Sequence, residues 1–359
     1  MLAESPAASH ASATAAPLAF GRPWWRGRWL DAFAAAVLVG SGAGWFGRWH
    51  WLLDLTTHFR WYWLLAALGG LAACLRWPRP TAVACLAVAA VINTRDLMPA
   101  WLPPAAAHAA AHAAAHPPAA AAAAAAADQR VFVISMNVQR VNDDPTAAVA
   151  YLRDRRPDIV AVLEVDDDWA AALEGLAEQF PHRLIRPRPD NFGIAVLSRW
   201  PLADPEVVAF SETGFPSIIA TVRRESGDFR FIATHPYPPF NGRATEALLV
   251  HLAGVAEAVE SSPLPCIVAG DLNATPWSRP FRELLARSGL VDTAVGHGVQ
   301  PTWHAHLPAP RIPIDHVLVP PAAVVLRREV GPDIGSDHFP VEAELILPAA
   351  PVGPRPRER

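Results

Sequence analysis

From about Gln129 onward the chain is a succession of short apolar runs rich in β-branched residues, and several of them end on polar residues. Val131–Ile134, Ile159–Leu163, Ile194–Leu197, Ile218–Val222, Phe229–Ala233, Cys266–Ala269, His316–Val319 and Val341–Leu345 read as strands buried on one or both faces. Helical periodicity interleaves at Pro145–Arg155, Asp168–Gln179, Ala244–Glu260 and Arg279–Ser288. Strands and helices mix without strict alternation. That pattern favours two packed sheets with helices outside them. Residues 129–347 are numerous enough for one sizeable core.

The first third is of another kind. Hydrophobic residues make up 52% of the 359-residue chain, and the excess lies before residue 128. Three apolar stretches, Trp29–Gly47, Trp61–Leu75 and Thr81–Ile92, are flanked by tryptophans such as Trp24, Trp25, Trp49, Trp51, Trp77 and Trp101. A bilayer span needs roughly 20 apolar residues and favours Trp at its interfaces. The expectation is therefore a membrane region of about three helices over residues 23–98, after a disordered N-terminus at 1–22. A soluble helical hairpin is the alternative. Arg22, Arg26 and Arg28 precede the first span and Arg76 and Arg79 separate the second from the third, against Arg48 and Arg60 between the first and second. The positive-inside bias then places the N-terminus in the cytoplasm and, for three spans, the C-terminal domain outside it; two spans would keep it inside. The integral-membrane assignment points to a bacterial inner membrane, with the bilayer as a partner and no protein partner implied.

An Ala/His/Pro linker occupies residues 99–128, and a Pro/Arg-rich tail, expected to be disordered, occupies 348–359. His108, His112 and His116 recur every fourth residue within the linker; repeat drift accounts for them better than a metal stripe. The net charge of −4 gives no global basic field for nucleic acid. Arg183, Arg186 and Arg188, and Arg153, Arg155 and Arg156, form local basic clusters diluted by acidic neighbours. The 3 cysteines imply no disulfide framework.

The polar strand ends carry the chemistry. Asp271 and Asn273 stand two apart after an apolar run, where they can reach a water, a metal or a phosphoryl oxygen, or simply form a turn. Glu164 ends a nearly all-apolar strand. An ionised carboxylate there needs compensation, and a hard cation such as Mg²⁺ supplies it. Asn137 ends another strand and could complete such a shell. His235 is held in a proline-rich loop that suits phosphate contact, or is a surface histidine. Asp315 precedes His316, and Asp337 precedes His338. A buried aspartate beside an imidazole raises its pKa and yields a cationic donor.

Taken in order, Ser135-Met136-Asn137-Val138, Asp158 to Glu164, Gly193 to Arg199, Thr234-His235-Pro236, Gly270-Asp271-Leu272-Asn273, Thr302-Trp303, Ile314-Asp315-His316 and Gly335 to Pro340 resemble the endonuclease/exonuclease/phosphatase superfamily, also called DNase I-like. The resemblance covers residues 129–347. It implies a four-layer α/β/β/α sandwich of two mixed sheets and hydrolysis of a phosphate ester assisted by Mg²⁺ or Mn²⁺. By resemblance, Asn137, Glu164 and Asp337 form or support the metal site. Asp271 and Asn273 position the attacking water and the phosphate, His235 and His338 contact the scissile phosphate, and Asp315 pairs with His338. His316 departs from the tyrosine common in the family, and no second carboxylate partner for His235 is evident. The implied activity is a membrane-anchored phosphodiesterase of nuclease type. A phospholipid or other phosphate-ester hydrolase and an inactive membrane-bound interaction protein are the alternatives. The implied substrate is a nucleic acid or a lipid head group.

Overall fold

The computed structural model describes residues 28–102 and 129–348. The expectations for the N-terminus, for His108, His112 and His116, and for the tail beyond Pro348 fall outside the described residues.

Among the described residues two six-stranded sheets pack face to face. The first holds β1 (Arg130–Asn137), β2 (Ile159–Leu163), β3 (His182–Arg186), β4 (Ile194–Ser198), β11 (Val324–Val330) and β12 (Val341–Ile346), in the order β11-β12-β1-β2-β4-β3. The second holds β5 (Leu202–Ala209), β6 (Pro216–Val222), β7 (Phe229–Ala233), β8 (Cys266–Asp271), β9 (Val291–Asp292) and β10 (Asp315–Val319), in the order β5-β6-β7-β8-β10-β9. The inner faces share one core, with Val133, Ile159 and Val196 from one sheet and Phe231, Ile267 and Val317 from the other. On the outer face of the first sheet, α5 (Thr146–Arg155) and α6 (Asp167–Glu174) bury Leu152, Trp169 and Leu173. On the second, α7 (Gly242–Glu260) and α8 (Arg279–Ser288) bury Leu248, Val255, Phe281 and Leu284. This is the four-layer sandwich. Central strands covered on both faces have no polar side to show, which is why they read as unbroken apolar runs.

Each sheet has one parallel pair at its centre. β1 runs parallel to β2, with Asn137 beside Leu163, and β7 runs parallel to β8, with Ala233 beside Ala269. Parallel neighbours need a crossover, here carrying α5 and α7, so both strands of a pair finish at the same edge. That edge collects the residues at the ends of β1, β2, β7 and β8. β10 is antiparallel to β8 and begins there, with Asp315 opposite Asp271. Gly270 permits the close approach of β8 to the end of β7: a Cβ on it would lie 1.9 Å from the Thr234 carbonyl oxygen.

The N-terminal third forms helices α1 (Arg28–Ala43), α2 (Trp51–Leu55), α3 (Arg60–Arg76) and α4 (Pro80–Leu97). The three long helices pack through small residues, with Ala34, Ala67, Ala82 and Ala89 buried beside Leu30 and Leu86. The outward faces remain apolar, with Val39, Leu68, Leu75 and Val91 exposed. Two stretches, Arg28–Phe46 and Pro80–Ala100, are long and apolar enough to cross a bilayer by length and composition alone. The 17-residue α3, where the second span was expected, is shorter than either.

One end of this bundle meets the sandwich. Asp54 Oδ1 accepts the Arg279 N–H at 2.9 Å, capping α8, whose own Ser278 makes no side-chain cap bond. The Tyr62 hydroxyl donates to the Arg311 carbonyl at 3.1 Å. Gly296 N–H donates to the Pro99 carbonyl at 3.1 Å, and Gly298 N–H to that of Ala100 at 2.6 Å. Tyr62 meets the Arg311 backbone, while the Arg311 guanidinium lies 4.8 Å from the Phe339 ring centroid.

Candidate active site

The residues singled out in the sequence come from both sheets and meet at one edge. From the first sheet, Asn137 ends β1 and Glu164 follows β2. The Asn137 amide donates to Glu164 Oε1 at 3.0 Å and, across the sheets, to Asp271 Oδ2 at 3.3 Å. Its Oδ1 accepts the Gln139 N–H at 2.9 Å, which fixes the amide with its NH₂ toward the carboxylates. Asn137 as placed therefore orients the cluster rather than offering it an oxygen.

Glu164 sits in the left-handed region at φ 63° and is 8% exposed. A non-glycine residue costs about 1–2 kcal/mol there, and such strain gathers at functional sites. Besides Asn137, its carboxylate accepts the Arg140 N–H at 3.2 Å. Among the described residues no cationic side chain forms an ion pair with it.

On the second sheet, Asp271 lies between two imidazoles. His235 Nε2 is 3.5 Å and His338 Nε2 3.6 Å from its Oδ2. Both rings are buried. His338 Nδ1 meets Asp315 Oδ2 at 2.9 Å, and Asp315 is fully buried. Burial pulls the His338 pKa down, but Asp315 and then Asp271 more than reverse this and lift it to about 10. His338 is accordingly a cation at neutral pH. His235 is also raised, burial opposing and Asp271 prevailing. Asp271 is lowered: burial works against its charge, and the neighbouring His338 and His235 outweigh it.

Asn273 also adopts a left-handed conformation, at φ 49°. Its N–H donates to Asp271 Oδ1 at 2.9 Å, and its side-chain amide donates to the Pro236 carbonyl at 2.9 Å. It thereby ties the His235 loop to the end of β8. Asp337 lies at the same cleft, with Oδ1 3.9 Å from His338 Nε2 and Oδ2 accepting the Trp303 indole N–H at 3.0 Å. The structure brings all eight sequence candidates to one edge.

No second carboxylate pairs with His235 among the described residues: its Nε2 faces Asp271, which it shares with His338, and its Nδ1 is buried and makes no hydrogen bond among them. The unexplained His316 lies outside the cluster, bridging Asp292 Oδ2 and the Ala274 carbonyl at 2.9 Å each. The Arg clusters are largely engaged elsewhere: Arg183 pairs with Glu174, Arg188 with Asp190 and Arg155 with Glu342. Sequence reasoning gave no role to Trp303, and it missed Leu55, His58 and Phe59. These three, from the turn before α3, line the cleft beside His235 and His338. Nothing in a local pattern marks them, because their role arises only once the bundle docks.

A divalent ion fits this donor set. Glu164 is a buried carboxylate with no ion-pair partner among the described residues, and Asp271 and Asp337 add hard oxygens in the same cleft. Asp271, Asp315 and His338 also form a compact group, their ligand atoms within 4.8 Å of one another, able to hold an ion. Because Asp315 already engages His338 Nδ1, the oxygen-rich side near Glu164 suits a hard ion better.

Residues 134–338 match the endonuclease/exonuclease/phosphatase family profile. A solved endonuclease/exonuclease/phosphatase from Beutenbergia cavernae is similar at 25% identity and TM-score 0.52, over 62% of this chain and 73% of that one. Danio rerio TDP2, solved with a single-strand DNA product, is similar at 18% identity and TM-score 0.53, over 61% and 99%. A family protein from Bacteroides thetaiotaomicron matches at 19% identity and TM-score 0.51, over 61% and 98%. The likeness to the last two extends to the fold. No curated protein sequence matches significantly.

Proposed function

Because the chain belongs to the endonuclease/exonuclease/phosphatase family, whose members are generally metal-dependent phosphoesterases, we propose that it hydrolyses a phosphodiester by in-line attack of water, held at a membrane by its N-terminal helices. The observation that carries this reading is the burial of Asp271 between two imidazoles, with Glu164 and Asn137 bonded into the same cluster.

Glu164 and Asp337 would hold the ion, Asn137 keeping Glu164 oriented. Mg²⁺ or Mn²⁺ would supply Lewis-acid polarisation of a phosphoryl oxygen. Asp271, kept anionic, orients the attacking water and helps take its proton as the new P–O bond forms and the P–O bond to the leaving alkoxide breaks, that oxygen departing with a proton from an imidazole or from water. His338 stays protonated because Asp315 stabilises its charge, and it donates to oxygen as negative charge grows on the phosphoryl group. His235 does the same from the other side of Asp271. Asn273 fixes the loop that carries His235.

The full chain should cleave bis-p-nitrophenyl phosphate with Mg²⁺ and stop in EDTA. Asp271→Ala and His338→Ala should each lower the rate at least about 100-fold. Hydrolysis indifferent to chelator and to both substitutions would reject the mechanism.

For topology, the turn between α1 and α3 and the C-terminal end of α4 both touch the sandwich. If α1, α3 and α4 all cross, those two points share one side of the bilayer, opposite Arg28, Arg76 and Arg79. The arginine bias then favours an extracytoplasmic domain. A C-terminal alkaline phosphatase fusion should be active; a well-expressed but inactive fusion would favour a cytoplasmic domain.

A further inference from the structure

The cleft over the cluster measures about 410 Å³, and the sandwich does not enclose it alone. Leu55, His58 and Phe59 form part of its wall. This segment is held at both ends, by the Asp54 cap on α8 and by Tyr62 on the Arg311 backbone. Phe240, 55% exposed, lines the same cleft from the His235 loop.

The chemistry of this wall is uncharged. Leu55, Phe59 and Phe240 are apolar. His58 is buried, makes no hydrogen bond among the described residues, and burial pulls its pKa down to about 4, so it is neutral. No arginine lines the cleft among the described residues. A polynucleotide carries a phosphate on each side of the scissile one and relies on cationic contacts along its backbone. Here the surface beside the phosphate site is apolar instead.

Resting on the phosphoesterase reading, we propose that the N-terminal turn is a specificity element of the catalytic site. The cleft takes a phosphate ester whose organic group is apolar, with the phosphate at His235 and His338 and that group against Leu55, Phe59 and Phe240. The helical region thus completes the site as well as tethering it. The volume of this open cleft falls in the range of small-ligand pockets, about 300–1,000 Å³, and most of the surface it exposes is apolar.

The test compares methyl p-nitrophenyl phosphate with hexyl p-nitrophenyl phosphate, using the full chain and Mg²⁺. Both esters have the same leaving group and differ only in the apolar arm. The hexyl ester should show kcat/KM at least about 10-fold higher, because each buried methylene favours binding. Phe59→Ser and Leu55→Ser should each bring the ratio of the two esters to within about 3-fold of unity. A folding defect would lower both esters together and leave the ratio standing. The milder Phe59→Leu should retain the preference, and Leu55→Ala should weaken it, so the ratio remains readable if a serine variant is inactive.

Equal cleavage of the two esters, or a hexyl preference that survives these serine substitutions, overturns the inference while leaving the phosphoesterase reading intact. Faster cleavage of a single-stranded DNA oligonucleotide than of the hexyl ester overturns it as well. Absence of EDTA-sensitive cleavage of either ester or the DNA sinks the phosphoesterase reading, and this inference with it.

Discussion

Replacing Asp315 by asparagine keeps the shape of the His338 partner and removes its charge. Two unit charges at the 2.9 Å seen between Asp315 and His338 attract by about 6 kcal/mol at an effective dielectric near 20. At 1.36 kcal/mol per unit, that corresponds to about four pKa units. Asp271, 3.6 Å from the other ring nitrogen, still favours the cation in the variant. His338 should therefore fall from about 10 by about three units or more, to about 7 or below. The assay is an imidazole ¹H–¹⁵N titration of the metal-free protein, set beside a pH profile of kcat/KM. The wild type should keep its protonated His338 through about pH 9, whereas the Asp315→Asn rate at pH 8 should drop at least about 10-fold and recover on acidification. Stability follows the same sign. A raised imidazole pKa stabilises the fold fully below the unfolded value, about 6.5, and this is lost as pH climbs through the folded value. The stability gap between wild type and variant should thus narrow from pH 6.5 toward pH 10. A His338 titration unchanged by the substitution would refute the pairing argument.

Glu164→Gln should weaken Mg²⁺ and Mn²⁺ binding at least about 10-fold by calorimetry, since it neutralises the buried carboxylate best suited to a hard ion; unchanged affinity would place the ion elsewhere. Asp54→Ala should remove the cap on Arg279 N–H, destabilise α8 by about 1 kcal/mol and speed amide exchange at its first turn. Unaltered exchange there would mean that the contact between bundle and sandwich does not matter.

The strands that sequence reasoning failed to find, β3, β5, β9 and β11, are the four edge strands of the two sheets. Edges carry charge or proline that discourages further pairing, as in His182-Arg183-Leu184-Ile185-Arg186 and at Pro205 in β5, and this dilutes the apolar pattern. Central strands lack that constraint and were legible to within a few residues. The motif residues were legible because polar groups at the end of a buried strand are conspicuous. Their pairings were not. That Asp271 serves both imidazoles, and that Asn137 reaches from one sheet to the other, depends on how the sheets stack, and no local spacing encodes it. The contribution of Leu55, His58 and Phe59 was equally hidden, because only the tertiary contact through Asp54 and Tyr62 brings them near the chemistry.

Half of the polar cluster rides on each sheet, so the distances that matter for turnover are set by the thickness of the hydrocarbon between them. Ala161 on one side and Ala233 and Ala269 on the other keep that layer thin. Exchanging one of these alanines for a bulkier residue would push Asn137 away from Asp271 and slow the reaction without altering a single polar atom. Under the proposed mechanism, the volume of these interior alanines matters to the reaction as much as the polar groups they hold in register.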